Sequence, residues 1–127
     1  MNYLEEFKLN DQLFEFNLEI TNEYSDNYSK SCQIENYNSD FVNPTELATL
    51  SLKYFLEKFP IPEGSIHTAQ EIEMKNVISK NKKIKCSVFL SYSKEIKNSI
   101  FLKIKTIYKD GDKVVANSEG TLVVPKN

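Results

Sequence analysis

From Leu13 to Ile20 apolar and polar residues alternate one for one, placing Phe14, Phe16, Leu18 and Ile20 on one side of the chain. A period of two predicts a β-strand with one buried face. Thr21 or Asn22 can cap a short helix running through Tyr24 and Tyr28, after which the Asn-rich stretch from Cys32 to Ser39 reads as a loop. The period then changes. From Pro44 to Phe59 the apolar positions Leu47, Ala48, Leu50, Leu52, Tyr54, Phe55, Leu56 and Phe59 leave only a narrow polar strip at Lys53 and Glu57. Three signals agree on where this helix starts: Asn43 can cap it, Pro44 suits its first position, and Glu46 is spaced to close a capping box with Asn43. Pro60 and Pro62 stop it. A helix apolar nearly all round belongs in an interior. Burying each large apolar side chain contributes on the order of 1.5–3 kcal/mol, well above helix propensity.

The residues that must surround this helix read as strands: Ile66 to Val77, Lys82 to Glu95, Ser99 to Tyr108, and Lys113 to Val124. In the second of them Ile84, Cys86, Val88, Leu90 and Tyr92 share one face and Lys83, Lys85, Ser87, Ser91 and Ser93 much of the other. Asp110-Gly111 is a type I′ hairpin signal, Lys97-Asn98 a weaker one, and Ser79-Lys80-Asn81 a longer polar connection. Consecutive hairpins predict a four-stranded antiparallel meander. The expected class is α+β, an antiparallel sheet wrapped around one long central helix at about 44–59, in a single domain spanning 1–127.

Composition narrows the function classes. Hydrophobic residues make up 40% of the 127 and aromatic residues 12%, enough for a packed core, and no Pro/Gly/Ser-rich linker divides the chain. With a formal charge of −2 and lysines interleaved with acids, no broad basic face is expected and nucleic acid is not an expected partner. The first residues lack the pattern of a targeting segment, and no apolar run approaches the roughly 18 residues that span a bilayer. A soluble cytoplasmic protein that does not engage a membrane is expected. Cys32 and Cys86 belong to no CxxC pair and read as free thiols, and no His/Cys/Asp/Glu set has metal-ligand spacing.

The element order, one long apolar helix followed by long hairpin strands, resembles that of a hot-dog domain. Ser65-Ile66-His67-Thr68-Ala69-Gln70-Glu71-Ile72-Glu73 resembles the His-x-x-Gln-Glu-x-Glu strand of MaoC-like acyl dehydratases, above all their N-terminal dehydratase-like domains. The stretches from Tyr108 to Ala116 and from Gly120 to Val124 look like that family's final hairpin, and Phe41-Val42-Asn43-Pro44-Thr45 is similar to its approach to the central helix. The resemblance implies acyl groups of fatty acid metabolism carried as thioesters on coenzyme A or acyl carrier protein, with coenzyme A or phosphopantetheine as substrate carrier and no cofactor of the protein's own. It implies a site at a dimer interface, with the first helical turn, Asn43, Thr45 and Glu46, as the thioester cradle. It also implies hydration or dehydration at the β-carbon by an Asp and a His on a loop of form Asp-x-Asn-Pro-x-His, while helix amides polarise the carbonyl. This sequence departs from that loop. Asp40-Phe41-Val42-Asn43-Pro44-Thr45-Glu46 has one extra residue before Asn-Pro and a glutamate where the histidine would stand.

The candidate chemistry therefore rests on a few residues. Glu46 resembles the helix carboxylate of some hot-dog thioesterases, a nucleophile or base, or it closes the capping box. His67, the single histidine, is a base if it faces a pocket; its alternation with Ala69, Glu71 and Glu73, opposite Ile66, Ile72 and Met74, places it toward solvent or a subunit contact. Asp40 either positions water or belongs to an exposed turn. Lys80, Lys82, Lys83 and Lys85 either meet carrier phosphates or form a solvated hairpin. The expected function is binding of acyl thioesters by a MaoC-like protein without an evident hydratase pair, as a non-catalytic or partner subunit. The alternative is an active enzyme: a thioesterase through Glu46, or a 3-hydroxyacyl dehydratase/enoyl hydratase through Asp40 and His67. Edge strands that need cover point to a homodimer or a dimer of dimers.

Overall fold

A computed structural model describes residues 2–31 and 40–127; the loop expected at 32–39, Cys32 included, lies outside the described residues. The elements run β1 (Gln12–Glu19), α1 (Asn22–Ser31), α2 (Pro44–Lys58), β2 (Ile66–Met74), β3 (Lys83–Ile96), β4 (Ser99–Asp110) and β5 (Lys113–Pro125). The five strands form one sheet in the order β1-β3-β4-β5-β2, every neighbouring pair antiparallel. Its inner face, with Ile84, Cys86, Val88, Leu90, Leu102 and Leu122, packs with Leu47, Leu50 and Phe55 of α2. This is the hot-dog arrangement expected from the sequence.

Sheet and helix meet in two apolar clusters. One gathers Leu47 and Leu50 of α2 with Leu18, Ile84 and Tyr108, and the other gathers Phe55 with Val88, Leu102, Leu122 and Val124. The chain start closes the far end of α2: Tyr3 donates its hydroxyl to the Phe59 carbonyl at 2.6 Å, and the Phe7 and Phe59 rings meet edge to face at 5.7 Å. Thr21 caps α1, its Oγ1 accepting from the Tyr24 amide at 3.1 Å.

Several expectations need correction. The helix is not swallowed all round: Leu47, Ala48, Leu50, Ser51 and Phe55 are buried, Leu52 and Leu56 are half-buried, and Tyr54 is exposed. The meander has three strands, because β2 pairs with β5 and leaves the free edge of β3 to β1. Residues 75–82 therefore cross from one side of the sheet to the other instead of making a hairpin. The Lys75 and Asn76 amides donate to the Val115 carbonyl, Lys80 to Asp40 and Asn81 to Ile20, while Ile78 is buried on the way. The β4–β5 loop is Gly111-Asp112, one residue later than read, and only Gly111 has positive φ (61°). A type I′ turn needs positive φ at both central positions.

Two bulges reverse side-chain parity. Beyond Leu90 the register with β4 shifts, so Tyr92 pairs with Lys103 on the outer face and lies under its ammonium, 5.5 Å from the ring centre, instead of continuing the buried row. A second shift between His67 and Ala69 puts His67 opposite buried Leu122, on the same side as Gln70, Ile72 and Met74, and turns Ile66 outward. The faces expected for His67 and Ile66 are thus exchanged.

Candidate functional site

The first turn of α2 forms as its sequence requires. Asn43 takes extended angles (φ −75°, ψ 134°), its Oδ1 accepts from the Thr45 amide at 2.8 Å, and Pro44 has no amide to satisfy. Glu46 does not close the capping box. Its side chain is fully buried and turns to α1, where Oε2 accepts from Ser25 Oγ at 2.6 Å; Oε1 has no partner among the described residues. A buried carboxylate oxygen without a donor is uncommon, although the positive end of the helix dipole favours an acid here. Asp40 is exposed just before this turn, its carbonyl accepting from the Lys80 amide at 2.9 Å.

His67 belongs to a different place. With Gln70 it forms the mouth of a groove between α2 and the inner faces of β4 and β5, walled by Ala48, Leu52, Phe55, Ile104 and Leu122. The mouth is exposed and the walls largely buried. His67 Nε2 and Gln70 Oε1 lie 3.2 Å apart. Gly120, opposite Gln70 in the β2–β5 register, makes this possible: a Cβ there would stand 2.7 Å from Gln70 Oε1 and 3.6 Å from His67 Nε2. As it stands the groove has room for about 20 Å³, the size of one water.

A polar belt crosses the groove floor where the two apolar clusters meet. Ser51 Oγ donates to the Leu47 carbonyl at 2.7 Å and lies 2.6 Å from the Tyr108 hydroxyl, which is 2.9 Å from Ser118 Oγ. Burial pushes the Tyr108 phenol up to about 12, outweighing its bonds to Ser118 and Ser51, which act the other way. The Cys86 thiol is likewise pushed up to about 12 by burial, which makes it an inert core group.

The sequence-derived candidates do not converge within one chain. Asn43, Thr45 and Glu46 sit on the first turn of α2, near the Met74 end of β2, where Val42 and Pro44 share a surface hollow with Met74 and Lys75. His67 is at the other end of β2. At about 3.3 Å per residue, the strand puts on the order of 20 Å between those ends. In the basic cluster Lys82 pairs with Asp110 at 2.6 Å and Lys85 with Glu15 at 3.4 Å. Among the described residues no group of three or more His, Cys, Asp or Glu could hold a metal ion, and no helix is long and apolar enough to cross a membrane. Sequence reasoning missed Ser51, Gln70, Tyr108, Ser118 and Gly120. A signal existed, since Ser51 breaks the Leu47–Phe55 apolar row and Ser118 and Gly120 break the buried row of β5.

No family model and no curated protein matches the chain. Solved structures do. A MaoC-like dehydratase from Rhodospirillum rubrum superposes with a TM-score of 0.72 at 12% identity, covering 100% of this chain and 99% of that one. An (R)-hydratase from A. caviae involved in PHA biosynthesis gives 0.72 at 13%, covering 95% and 99%. The C-terminally truncated HadBC (3R-hydroxyacyl-ACP dehydratase) complex from Mycobacterium tuberculosis gives 0.73 at 11%, covering 91% and 96%. At these identities the likeness speaks for the fold, and the chain has the hot-dog fold in the form shared by MaoC-like dehydratases and (R)-hydratases.

Proposed function

We propose that the protein is a MaoC-like acyl-thioester-binding protein that lacks the hydratase pair and works as a binding or partner subunit. The observation that carries this reading is the separation just described: the first turn of α2, with Asp40 before it, lies at one end of β2 and His67 at the other. A general acid or base must come within about 3 Å of its proton, or reach it through one water. The groove that His67 lines does not include Asp40, so the two do not face one substrate there within one chain. The shape of the fold supports acyl binding, because the groove is apolar-walled and opens past two exposed side chains held chiefly by each other. An acyl chain enters when Gln70 and His67 swing outward. The acyl donor is a thioester of coenzyme A or acyl carrier protein, and a homodimer covers the exposed β2 edge.

Glu46 supports a second reading, a thioesterase, because its buried Oε1 has no partner among the described residues. A dehydratase using Asp40 and His67 needs two chains paired along β2, so that one chain's His67 reaches the other's first turn.

Melting and turnover separate these readings. Under the binding reading, long-chain acyl-CoA raises the melting temperature, and purified protein neither hydrates enoyl-CoA nor releases thiol. Thiol release abolished by Glu46→Gln establishes the thioesterase instead. Enoyl-CoA hydration abolished by His67→Ala establishes the dehydratase.

A further inference from the structure

The room that an acyl chain needs at the C-terminal end of α2 is filled by the protein's own first residues. Phe55, Ile104 and Leu122, which wall the groove, also belong to the apolar cluster that buries Leu4. Tyr3 and Phe7 pack against the same cluster, Tyr3 through its 2.6 Å bond to the Phe59 carbonyl and Phe7 through its edge-to-face contact with the Phe59 ring. Three side chains of one short segment thus take up the apolar space into which the groove walls continue, while the groove itself keeps only about 20 Å³.

Leu4 holds this place against its backbone preference. Its φ is 57°, the left-handed region, where a leucine crowds its own carbonyl and has no polar side chain to offset the cost. It is the one buried residue between positions 2 and 12. The chain is tied to the sheet only beyond this segment, where the Asn10 amide donates to the Leu90 carbonyl at 2.7 Å and the Leu90 amide to the Asp11 carbonyl at 3.1 Å. Lys8, Leu9 and Asn10 between the two are exposed. Residues 2–7 can therefore swing out about positions 8–10 while β1 and α2 stay in place.

We propose that residues 2–7 are a displaceable plug, an internal occupant of the acyl site that a long acyl chain expels. This rests on the acyl-thioester reading above and adds the device that controls entry. The end of the acyl chain takes the place of the Leu4 side chain, so the cluster stays covered while Leu4 is released from its left-handed backbone. A short acyl group does not reach that space and leaves the plug seated. A plug seated in most molecules lowers the apparent affinity by the fraction that is open, so loosening it tightens binding.

Hydrogen exchange and calorimetry on the full chain with butyryl-CoA and palmitoyl-CoA test this. Palmitoyl-CoA speeds exchange in residues 2–7, where the Glu5 and Phe7 amides are held by the Asn2 and Leu4 carbonyls; butyryl-CoA leaves them protected. Tyr3→Phe removes only the bond to Phe59 and tightens palmitoyl-CoA about fivefold, the worth of one hydrogen bond, with butyryl-CoA unchanged. Leu4→Asp, which cannot stay buried, tightens it further. Palmitoyl-CoA bound while residues 2–7 stay protected, or bound by Tyr3→Phe no tighter than by the parent, overturns this inference alone. Binding to the two variants but not to the parent supports the plug. Failure of palmitoyl-CoA to bind the parent and both variants removes the acyl-thioester reading and this inference with it.

Discussion

Ser25 donates its hydroxyl to Oε2 of Glu46 across 2.6 Å, a fully buried contact that ties α1 to the first turn of α2. Among the described residues it is the carboxylate's single side-chain hydrogen bond, and the other oxygen has no partner there. Ser25→Ala takes it away, and a buried acceptor left without a donor costs about 1–3 kcal/mol, more for a charged group. Urea denaturation of Ser25→Ala is expected to show a loss of about 2–3 kcal/mol. Glu46→Gln keeps an acceptor for Ser25 and is expected to stay within about 1 kcal/mol of the parent. Equal losses for the two variants would mean that the serine bond is not what holds the carboxylate.

Gly120 and Gln70 make the second test. A Cβ at position 120 meets the far end of a flexible, exposed side chain, so Gly120→Ala moves Gln70 outward and leaves the backbone in place. Its stability change is expected to be under about 1 kcal/mol, the usual range for a substitution that strains no packed atom. The 3.2 Å contact between Gln70 and His67 is lost, which His67 ring resonances report by NMR. An unshifted His67 spectrum would show that the pair does not form in solution.

Alkaline stability follows from Tyr108. The phenol titrates near 12 in the folded protein against an ordinary 10, so the folded state holds this proton more tightly than the unfolded chain does. The stabilisation is whole below pH 10 and drains away as pH rises toward 12, a contribution of roughly 2–3 kcal/mol. Cys86 acts in the same direction, from its ordinary 9 up to about 12. In Tyr108→Phe the curve of stability against pH is expected to flatten between 10 and 12, leaving the Cys86 slope. At neutral pH the same variant loses about 1–2 kcal/mol, because Ser51 and Ser118 lose the buried hydroxyl they share. A parallel pair of curves contradicts this assignment.

Phe55 tests whether α2 is the centre of the core. It is buried with Val88, Leu102, Leu122 and Val124, and its ring lies 5.6 Å from that of Phe59. Phe55→Ala is expected to cost about 3–5 kcal/mol, against less than about 1 for Lys53→Ala on the open side.

Much of the fold was legible because its signals are local. Asn43 and Pro44 mark the start of α2, Pro60 its end, and the alternation from Ile84 to Leu90 gives β3 its buried face. What could not be read depends on partners distant in sequence. The parity of His67 and Tyr92 hangs on bulges next to Thr68 and Ser91, and neither residue type marks a bulge. The crossing at 75–82 depends on β1 taking the edge of β3, a competition between strands some 70 residues apart. The Ser51–Tyr108 bond spans 57 residues, so only the polar gaps in two buried rows hinted at the belt. Glu46 was spaced correctly for a capping box, and burial against α1 took its carboxylate elsewhere.

The central claim is that the α2 groove takes an acyl chain, and calorimetry with Gly120→Leu tests it most directly. The larger side chain fills the 20 Å³ space over the belt, and circular dichroism checks that the variant stays folded. The parent protein is expected to bind long-chain acyl-CoA well above free coenzyme A, and the variant to bind the two alike. Acyl-CoA binding the parent no better than coenzyme A, or binding a folded Gly120→Leu protein as tightly as the parent, contradicts the claim.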